Sequence, residues 1–230
     1  MNTERHIASA FDRDLESVQA MIMRMGGLVE EAILESAHAL ESRDEEKAIR
    51  IRQGDRAIDA LEEQIQTECA RVIALRSPIA GDLRTVLSVM RIASNLERCG
   101  DYAKNLAKRS LVLNQMAAIG GSAGAIRRMA QTVQAQLRDA LDAYIRRDIV
   151  LAAQVRDRDA DVDQMYNALF REFLTYMMED PRNITQCTHL LFCTKSLERV
   201  GDHATNIAEA AYYLETGRHL SADEQLRQQR

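Results

Sequence analysis

The sequence has no tryptophan, two prolines and few tyrosines or phenylalanines. Residue types that favour strands and turns are therefore scarce. Alanine, leucine, glutamate, arginine, glutamine and methionine dominate instead, and these have high helix propensity. The composition predicts an all-α fold, and a chain of 230 residues is long enough to bury a core without disulfide bonds.

A basic stripe and a long apolar run are also missing. The formal net charge is −5 and the two signs are interleaved, which argues against a nucleic-acid partner. Apolar runs extend for a few residues, far short of the roughly 20 that span a bilayer. The N-terminus has no apolar segment of the kind found in signal peptides. We therefore expect a cytoplasmic protein with no membrane span.

Motifs of nucleotide and covalent chemistry are absent as well. No phosphate-binding loop or dinucleotide fingerprint occurs, and no Ser-His-Asp or Cys-His arrangement follows from the spacing. The cysteines form no Cys-x-x-Cys pair, which favours small core residues over a zinc or disulfide site: Cys69, Cys99, Cys187 and Cys193. The sequence predicts a protein that is not an enzyme.

Helical periodicity and its interruptions predict six helices. The first three run from about Thr3 to Ser42, from Asp44 to Arg76 and from Ile79 to Met116. A glycine-rich segment, residues 119–124, separates them from three helices that repeat them at an offset of 104 residues, falling to 101 near the end. A repeat of this length indicates duplication. We predict two tandem three-helix bundles related by internal duplication, residues 1–118 and 119–230.

The motif Glu-Arg-x-Gly-Asp-x-Ala-x-Asn occurs twice, at residues 97–105 and 198–206. Its Glu, Asp and Asn are four residues apart and share one helix face. Extending the three-to-four periodicity of core residues from Ile79 places Glu97 where a leucine is expected, and Glu198 has the same place in its helix. Gly100 and Gly201 fall on the same face, which predicts close approach of a neighbouring helix or a ligand.

A second pair of acids precedes each motif, on another helix. Asp55 and Asp59 are followed at the repeat offset by Asp159 and Asp163, and the first acid of each pair lies at a core position. Like charges four residues apart destabilise a helix by roughly 0.2–0.5 kcal/mol. Each bundle therefore carries acids that need a cationic partner. Eight carboxylates make up the candidate site: Asp55, Asp59, Glu97, Asp101, Asp159, Asp163, Glu198 and Asp202.

Two interpretations of these acids remain open. The first is metal, because an all-oxygen site suits iron, manganese, magnesium or calcium, and Asn105 and Asn206 would add an amide oxygen or a hydrogen bond. The second is pairing with arginine or lysine from adjacent helices. Arg98 and Arg199 lie about 100° round the helix from the neighbouring Glu, so we expect them to reach another helix.

A third reading, a di-iron enzyme of the ferritin type, has weak support. Such enzymes need two Glu-x-x-His motifs. One match occurs, Glu35-Ser-Ala-His38, and its repeat has Asp139 and Asp142 instead. We interpret the match as chance.

The doubled motif, the upstream Asp-x-x-Ile/Val-Asp segments at residues 55–59 and 159–163, and Pro78-Ile-Ala-Gly-Asp-Leu-Arg84 resemble the PhoU family of phosphate-signalling proteins over residues 11–217. The resemblance implies two three-helix bundles and multinuclear metal clusters at the eight acids. Divalent or ferric ions are implied, with iron, manganese, magnesium and zinc as candidates. Lys104 stands where the second motif has Thr205, which predicts unequal occupancy of the two sites.

The resemblance also implies a role. PhoU proteins are cytoplasmic negative regulators of the phosphate-starvation response and of phosphate uptake. They act as adaptors between the phosphate ABC transporter, through its ATPase subunit, and a sensor histidine kinase, and they often form homodimers. The competing hypothesis is a carboxylate-rich enzyme or metal store that binds a multinuclear metal centre.

Overall fold

The computed structural model describes residues 2–220, which form helices joined by short connections and contain no strand. Residue 1 and residues 221–230, at the ends of the two predicted bundles, lie outside this range. The helices are α1 (Asn2–Ser42), α2 (Glu45–Arg76), α3 (Gly81–Leu113), α4 (Ser122–Arg146), α5 (Ile149–Asp157), α6 (Asp159–Glu179) and α7 (Ile184–Thr216), with a 3-10 turn at Pro181–Asn183. The all-α prediction is confirmed, and the boundary placed between residues 118 and 119 stays a prediction.

Equivalent caps begin the second helix of each repeat. The Asp44 carboxylate accepts a hydrogen bond from the Lys47 backbone N–H at 2.8 Å, and Asp148 accepts from Val150 and Leu151. Each aspartate thus satisfies backbone donors that the first turn leaves free. The same residue type performs the same task at both places, as duplication predicts.

The fifth predicted helix is divided in two at Arg158. This residue has φ −77° and ψ −6°, away from the ψ of about −42° that continues an α-helix. The helical pattern resumes at Asp159, so that this acid lies in the first turn of α6. The prediction of one continuous helix is therefore wrong at a single residue.

The two bundles share one hydrophobic core. Helices α1–α3 form the first bundle and α4–α7 the second, and α3 packs against α7 while α1 packs against α4. Equivalent positions meet across this contact: the Cys99 thiol lies 3.9 Å from the Val200 carbonyl oxygen, and the Tyr102 and His203 rings lie 5.7 Å apart. The repeats are thus related by an approximate two-fold axis between α3 and α7.

The buried face of α3 is wider than the predicted stripe. Residues of that stripe are buried, among them Val86, Ala93, Gly100 and Ala107. Because α3 is covered by α7 as well as by its own bundle, a second row beside it is buried too: Leu96, Cys99, Ala103 and Leu106. Ile79 precedes the helix and is 78% exposed, so its assignment to the core is wrong. Glu97 accordingly lies at the edge of the core, half-buried, rather than at its centre.

All four cysteines are buried and unpaired, which confirms their assignment to the core. Burial raises the pKa of the Cys69 thiol to about 11 and that of Cys193 to about 12. Neither thiol is therefore ionised at neutral pH, and neither is a reactive group.

Gly100 and Gly201 confirm the prediction of close helix approach. A Cβ added at Gly100 would lie 3.0 Å from the Ile58 Cδ1, and one at Gly201 would lie 3.2 Å from the Val162 Cγ1. Gly100 therefore lets α2 approach α3, and Gly201 lets α6 approach α7, at the positions where the acids lie.

Substitution of Gly54 and Gly100 by alanine is expected to have opposite effects. Gly54 is exposed within α2 and an added Cβ meets nothing within 4 Å, so Gly54→Ala should stabilise by about 0.5–1 kcal/mol. Gly100→Ala should destabilise by about 1 kcal/mol, because overpacking against Ile58 outweighs the gain in helix propensity. Thermal unfolding of both variants measures this, and two shifts of the same sign would contradict it.

Candidate functional site

The first acidic cluster joins α2 to α3. Asp55 is 5% exposed, Glu97 and Asp101 are half-buried, and Asp59 is exposed. The pKa of Asp59 is raised by burial and, to a smaller extent, by repulsion from Asp55. The pKa of Glu97 is raised by burial and then by repulsion from Asp101. The four predicted carboxylates are therefore close enough to interact.

Lys104 lies inside this cluster and supplies it with a positive charge. Its ammonium group donates hydrogen bonds to the Asp55 Oδ2 and, at 2.6 Å, to the Asp101 Oδ1. Burial lowers the pKa of Lys104, but hydrogen bonds to Asp101 and Asp55 outweigh it and raise that pKa overall. The lysine thus joins the acid of α2 to the acid of α3.

The second cluster joins α6 to α7 with the equivalent acids. Asp159, Glu198 and Asp202 are partly buried and Asp163 is exposed. Burial is the main cause that raises the pKa of Asp163 and of Asp202, and repulsion adds to it from Asp159 and from Glu198 respectively. The structure therefore brings the predicted residues together in each bundle, at a rim between two helices.

Glu198 has one carboxylate oxygen without a hydrogen bond. Its side chain is 12% exposed, and its Oε1 accepts a hydrogen bond from Lys195 at 2.6 Å. Its Oε2 is buried without a hydrogen-bond partner and lies 3.9 Å from the Arg199 Nε. A buried carboxylate oxygen of this kind fits a site that receives a cation.

A glutamine of α4 contacts Thr205, the residue that the second motif has in place of Lys104. The Gln136 side-chain amide donates to the Asp159 Oδ1 and to the Thr205 Oγ1, both at 3.2 Å. The residue is buried and neutral. In the first cluster an ammonium group therefore joins two acids, whereas in the second an amide joins one acid to a threonine.

Arg98 and Arg199 stay with their own helices. The Arg98 Nε lies 3.4 Å from Glu97, and the Arg199 Nη1 lies 3.2 Å from Asp202. The prediction that they reach another helix is wrong, because a long arginine side chain spans the one turn to an acid three residues on. Both guanidinium groups remain mostly exposed, so they screen the clusters weakly.

The clusters provide carboxylate oxygens but no preformed metal site. In residues 2–220 no three His, Cys, Asp or Glu side chains are arranged so as to hold an ion as they stand. The oxygen donors suit hard cations. In the second cluster the Glu198 Oε2 has no hydrogen-bond partner and lies 3.9 Å from the Arg199 Nε, which leaves it able to bind such an ion. In the first cluster Lys104 already binds Asp55 and Asp101.

Four other residues considered from the sequence take no part in the clusters. Within the described range, Asn105 and Asn206 make no hydrogen bond to these carboxylates, so their role stays a prediction. Glu35 of the Glu-x-x-His match forms an ion pair with Lys47 at 2.6 Å, and the His38 Nδ1 lies 3.0 Å from the same ammonium. This arrangement supports the interpretation of that match as chance.

Sequence reasoning missed Lys195 and Gln136. Lys195 precedes Glu198 by three residues, so helix geometry alone would have placed the two together. Gln136 is 69 residues from Thr205 and carries one weak signal, a polar residue at a core position of α4. The spacing of residues in the sequence does not indicate a contact between two residues this far apart.

The fold and clusters define a class: an all-helical protein of two duplicated bundles, each with a rim of carboxylates between its second and third helices. The family model described as "PhoU domain" matches twice, at residues 22–110 and 126–211. The chain belongs to the PhoU family.

Curated relatives share most of the chain. Proteins named "Phosphate-specific transport system accessory protein PhoU homolog" are 44% identical in Caulobacter vibrioides, over 94% of both chains, and 46% identical in Rhizobium meliloti, over 92% of this chain and 90% of that one.

Solved structures match the fold closely. PhoU from Pseudomonas aeruginosa has a TM-score of 0.87 at 39% identity, over 90% of this chain and 100% of that one. The "phosphate transport system regulatory protein PhoU" from Streptococcus pneumoniae has a TM-score of 0.83 at 34% identity, over 91% and 99%. The prediction of two three-helix bundles is confirmed.

Proposed function

We propose that this protein is a regulator associated with phosphate transport that acts by binding other proteins. The observation that carries the proposal is the pair of PhoU domains, together with relatives named as accessory proteins of a phosphate-specific transport system. In this proposal the protein is cytoplasmic, forms a homodimer and has no catalytic role. Its partners are the ATPase subunit of the phosphate transporter and a sensor histidine kinase, and the result is repression of phosphate-responsive genes and of phosphate uptake.

Exposed apolar residues at two helical hairpin tips support binding of proteins. Leu75 and Ile79 flank the connection between α2 and α3, and Met178 and Ile184 flank that between α6 and α7. Ile79 is 78% exposed and Met178 is 76% exposed. Contact of these apolar side chains with water is unfavourable, and burial against a partner would remove that free-energy cost. In residues 2–220 no helix is long and apolar enough to cross a membrane.

A strain without this gene is expected to express phosphate-scavenging genes in phosphate-rich medium, because the repressing contact is lost. The wild-type gene should restore repression, measured with an alkaline phosphatase reporter. The double variant Ile79→Ser with Met178→Ser should fail to do so while it keeps the wild-type melting temperature. Leu87→Ser, on an exposed part of α3, is the matched control and should restore repression. Normal repression in the deletion strain would contradict the proposed function.

We further propose that the second acidic cluster binds a hard metal ion through Asp159, Asp163, Glu198 and Asp202, and that the first cluster uses Lys104 in its place. Such an ion would neutralise the carboxylates and join α6 to α7. Catalytic turnover by the metal-loaded protein would support the alternative of a metal-dependent enzyme. Release of metal from the loaded protein would support the alternative of a metal store.

A further inference from the structure

Aromatic and basic side chains form a continuous strip across the surface of the second bundle. Tyr166 and Phe170 are one turn apart on α6, and the centres of their rings are 6.2 Å apart. The Lys195 ammonium of α7 lies 5.1 Å from the centre of the Tyr166 ring. Phe192 is one turn before Lys195, and the Arg109 guanidinium of α3 lies 4.0 Å from the centre of its ring. These five residues are the aromatic strip.

The aromatic strip leaves large apolar side chains in contact with water. Phe192 is 49% exposed and Phe170 is 38% exposed, and Leu174, one turn beyond Phe170, is 39% exposed. Exposure of such side chains is unfavourable, and several of them together beside charged groups are typical of a protein-binding surface. The strip contains none of the hairpin-tip residues described above, so it is a further surface.

The first bundle shows that the fold does not require aromatic residues at these positions. Each aromatic residue of the strip has a polar equivalent at the repeat offset: Glu62, Gln66 and Arg91. The Gln66 amide donates to the Glu62 Oε1 at 3.0 Å, and the Arg91 Nη2 lies 3.8 Å from a Glu209 oxygen. The first bundle therefore satisfies this surface within the chain, whereas the second presents exposed rings that internal packing does not explain.

Arg109 indicates the charge that a partner carries. Its Nη1 lies 3.3 Å from the His189 Nδ1, and within residues 2–220 it forms no ion pair with a carboxylate. Lys195, by contrast, already donates to Glu198. A guanidinium held against an aromatic ring keeps N–H groups free to bind a carboxylate through both oxygens. A second copy docked through the same strip would place like charges together, so charge favours an acidic partner.

The helical surface also restricts the form of the partner. In residues 2–220 every regular element is a helix, whose backbone groups are hydrogen-bonded internally, so no sheet edge is offered to an added strand. A partner must therefore bind through side chains. A helix with apolar residues every three or four positions binds in this way.

We propose that the aromatic strip binds an acidic amphipathic helix of another protein. Apolar side chains of that helix pack on Phe170 and Phe192, and one of its carboxylates pairs with Arg109. The inference rests on the proposed function, which it deepens by giving a docking surface and a chemical character to a partner.

Photo-crosslinking in the cell tests the surface. The crosslinking amino acid p-benzoylphenylalanine in place of Phe192 keeps a ring at that position and bonds covalently to a contacting partner. The same amino acid in place of Leu87, which is 50% exposed on α3 outside the strip, is the matched control. We expect an adduct from position 192 alone, which mass spectrometry should assign to an acidic amphipathic segment of another protein. No adduct, an adduct with a second copy of the chain, or an adduct with a segment that lacks acids would overturn the proposal.

A charge exchange tests the pairing with Arg109. The crosslinked segment is made as a labelled peptide, and its binding to the purified full-length protein is measured by fluorescence anisotropy. Arg109→Ala should weaken binding at least about tenfold, because a charge-assisted hydrogen bond is lost. Lys108→Ala removes an exposed cation at the next position of α3 and should bind as the wild type does.

Arg109→Glu should abolish binding, and a peptide with arginine in place of the facing acid should restore it. Restoration separates a charge pair from a folding defect, which would affect both peptides equally. Unchanged binding by Arg109→Ala, or no restoration by the exchanged peptide, would refute the pairing. Loss of repression in the deletion strain without any adduct would refute this inference alone, and an acidic-helix adduct with normal repression would refute the proposed function alone.

Discussion

Lys104→Thr is expected to lower the free energy of unfolding by about 3 kcal/mol, because it leaves the buried Asp55 carboxylate without its cation. This is the lower end of the usual cost, since the lysine side chain is itself 34% exposed. For a chain of this length the melting temperature should fall by about 6–12 °C. Threonine is the residue that the second repeat has at this position, so the change fits the local backbone.

The same variant should gain affinity for metal. Removal of the ammonium leaves Asp55 and Asp101 without the cation that joins them, while the mostly exposed Arg98 stays 3.4 Å from Glu97. Titration with Mn²⁺, followed by its electron paramagnetic resonance signal, should show binding at the second cluster alone in the wild type and at both clusters in Lys104→Thr. Because bound metal stabilises the folded state, Mn²⁺ should restore much of the lost melting temperature.

Lys108→Thr is the matched control, since Lys108 is exposed one turn further along α3. It should change neither the melting temperature nor the binding of Mn²⁺. An unchanged melting temperature in Lys104→Thr would show that the Lys104 bridge contributes nothing to stability. Equal occupancy of both clusters in the wild type would contradict the role of Lys104 as a substitute for metal.

The sequence was sufficient for features that repeat. The alignment of Asp55 with Asp159 and of Glu97 with Glu198 places the acids on two helices of each bundle, and the structure brings them together there. A pattern that occurs twice at a constant offset is informative because chance rarely reproduces it. The helix N-caps at Asp44 and Asp148 could be predicted from the sequence for the same reason.

Features that depend on how the two bundles meet could not be predicted from the sequence. The periodicity of α3 predicted one apolar stripe, but α7 covers a further face, so that Leu96 and Cys99 beside the stripe are buried as well. The break at Arg158 has no proline or glycine to indicate it. The contact of Gln136 with Asp159 joins separate helices, and only the folded chain shows it.

The duplicated clusters have diverged in complementary ways. The first has its lysine three residues after Asp101, and the second has Lys195 three residues before Glu198. The repeat equivalents of these lysines are Thr205 and Ser94. Each cluster therefore has a lysine beside the mostly exposed arginine of its motif, and each has one buried carboxylate oxygen without a hydrogen-bond partner. The lysine of the first cluster joins two helices, while that of the second contacts a single acid of its own helix. We propose the second cluster as the metal site because its lysine does not join α6 to α7.

Gln136→Ala is expected to leave the Asp159 Oδ1 buried without a donor, the state that the Asp55 Oδ1 has in the first bundle. The change also opens a cavity beside that oxygen. We expect a loss of about 2–3 kcal/mol, from one unsatisfied buried acceptor and the lost packing, and a fall in melting temperature of about 4–12 °C. Gln131→Ala, at an exposed position of α4, is the control and should leave the melting temperature unchanged.

Added propionamide should restore part of the stability of Gln136→Ala, because it supplies an amide N–H on a short aliphatic stem. Propionate has the same shape without that donor and should not. Equal effects of propionamide and propionate would mean that the Asp159 oxygen does not require a donor.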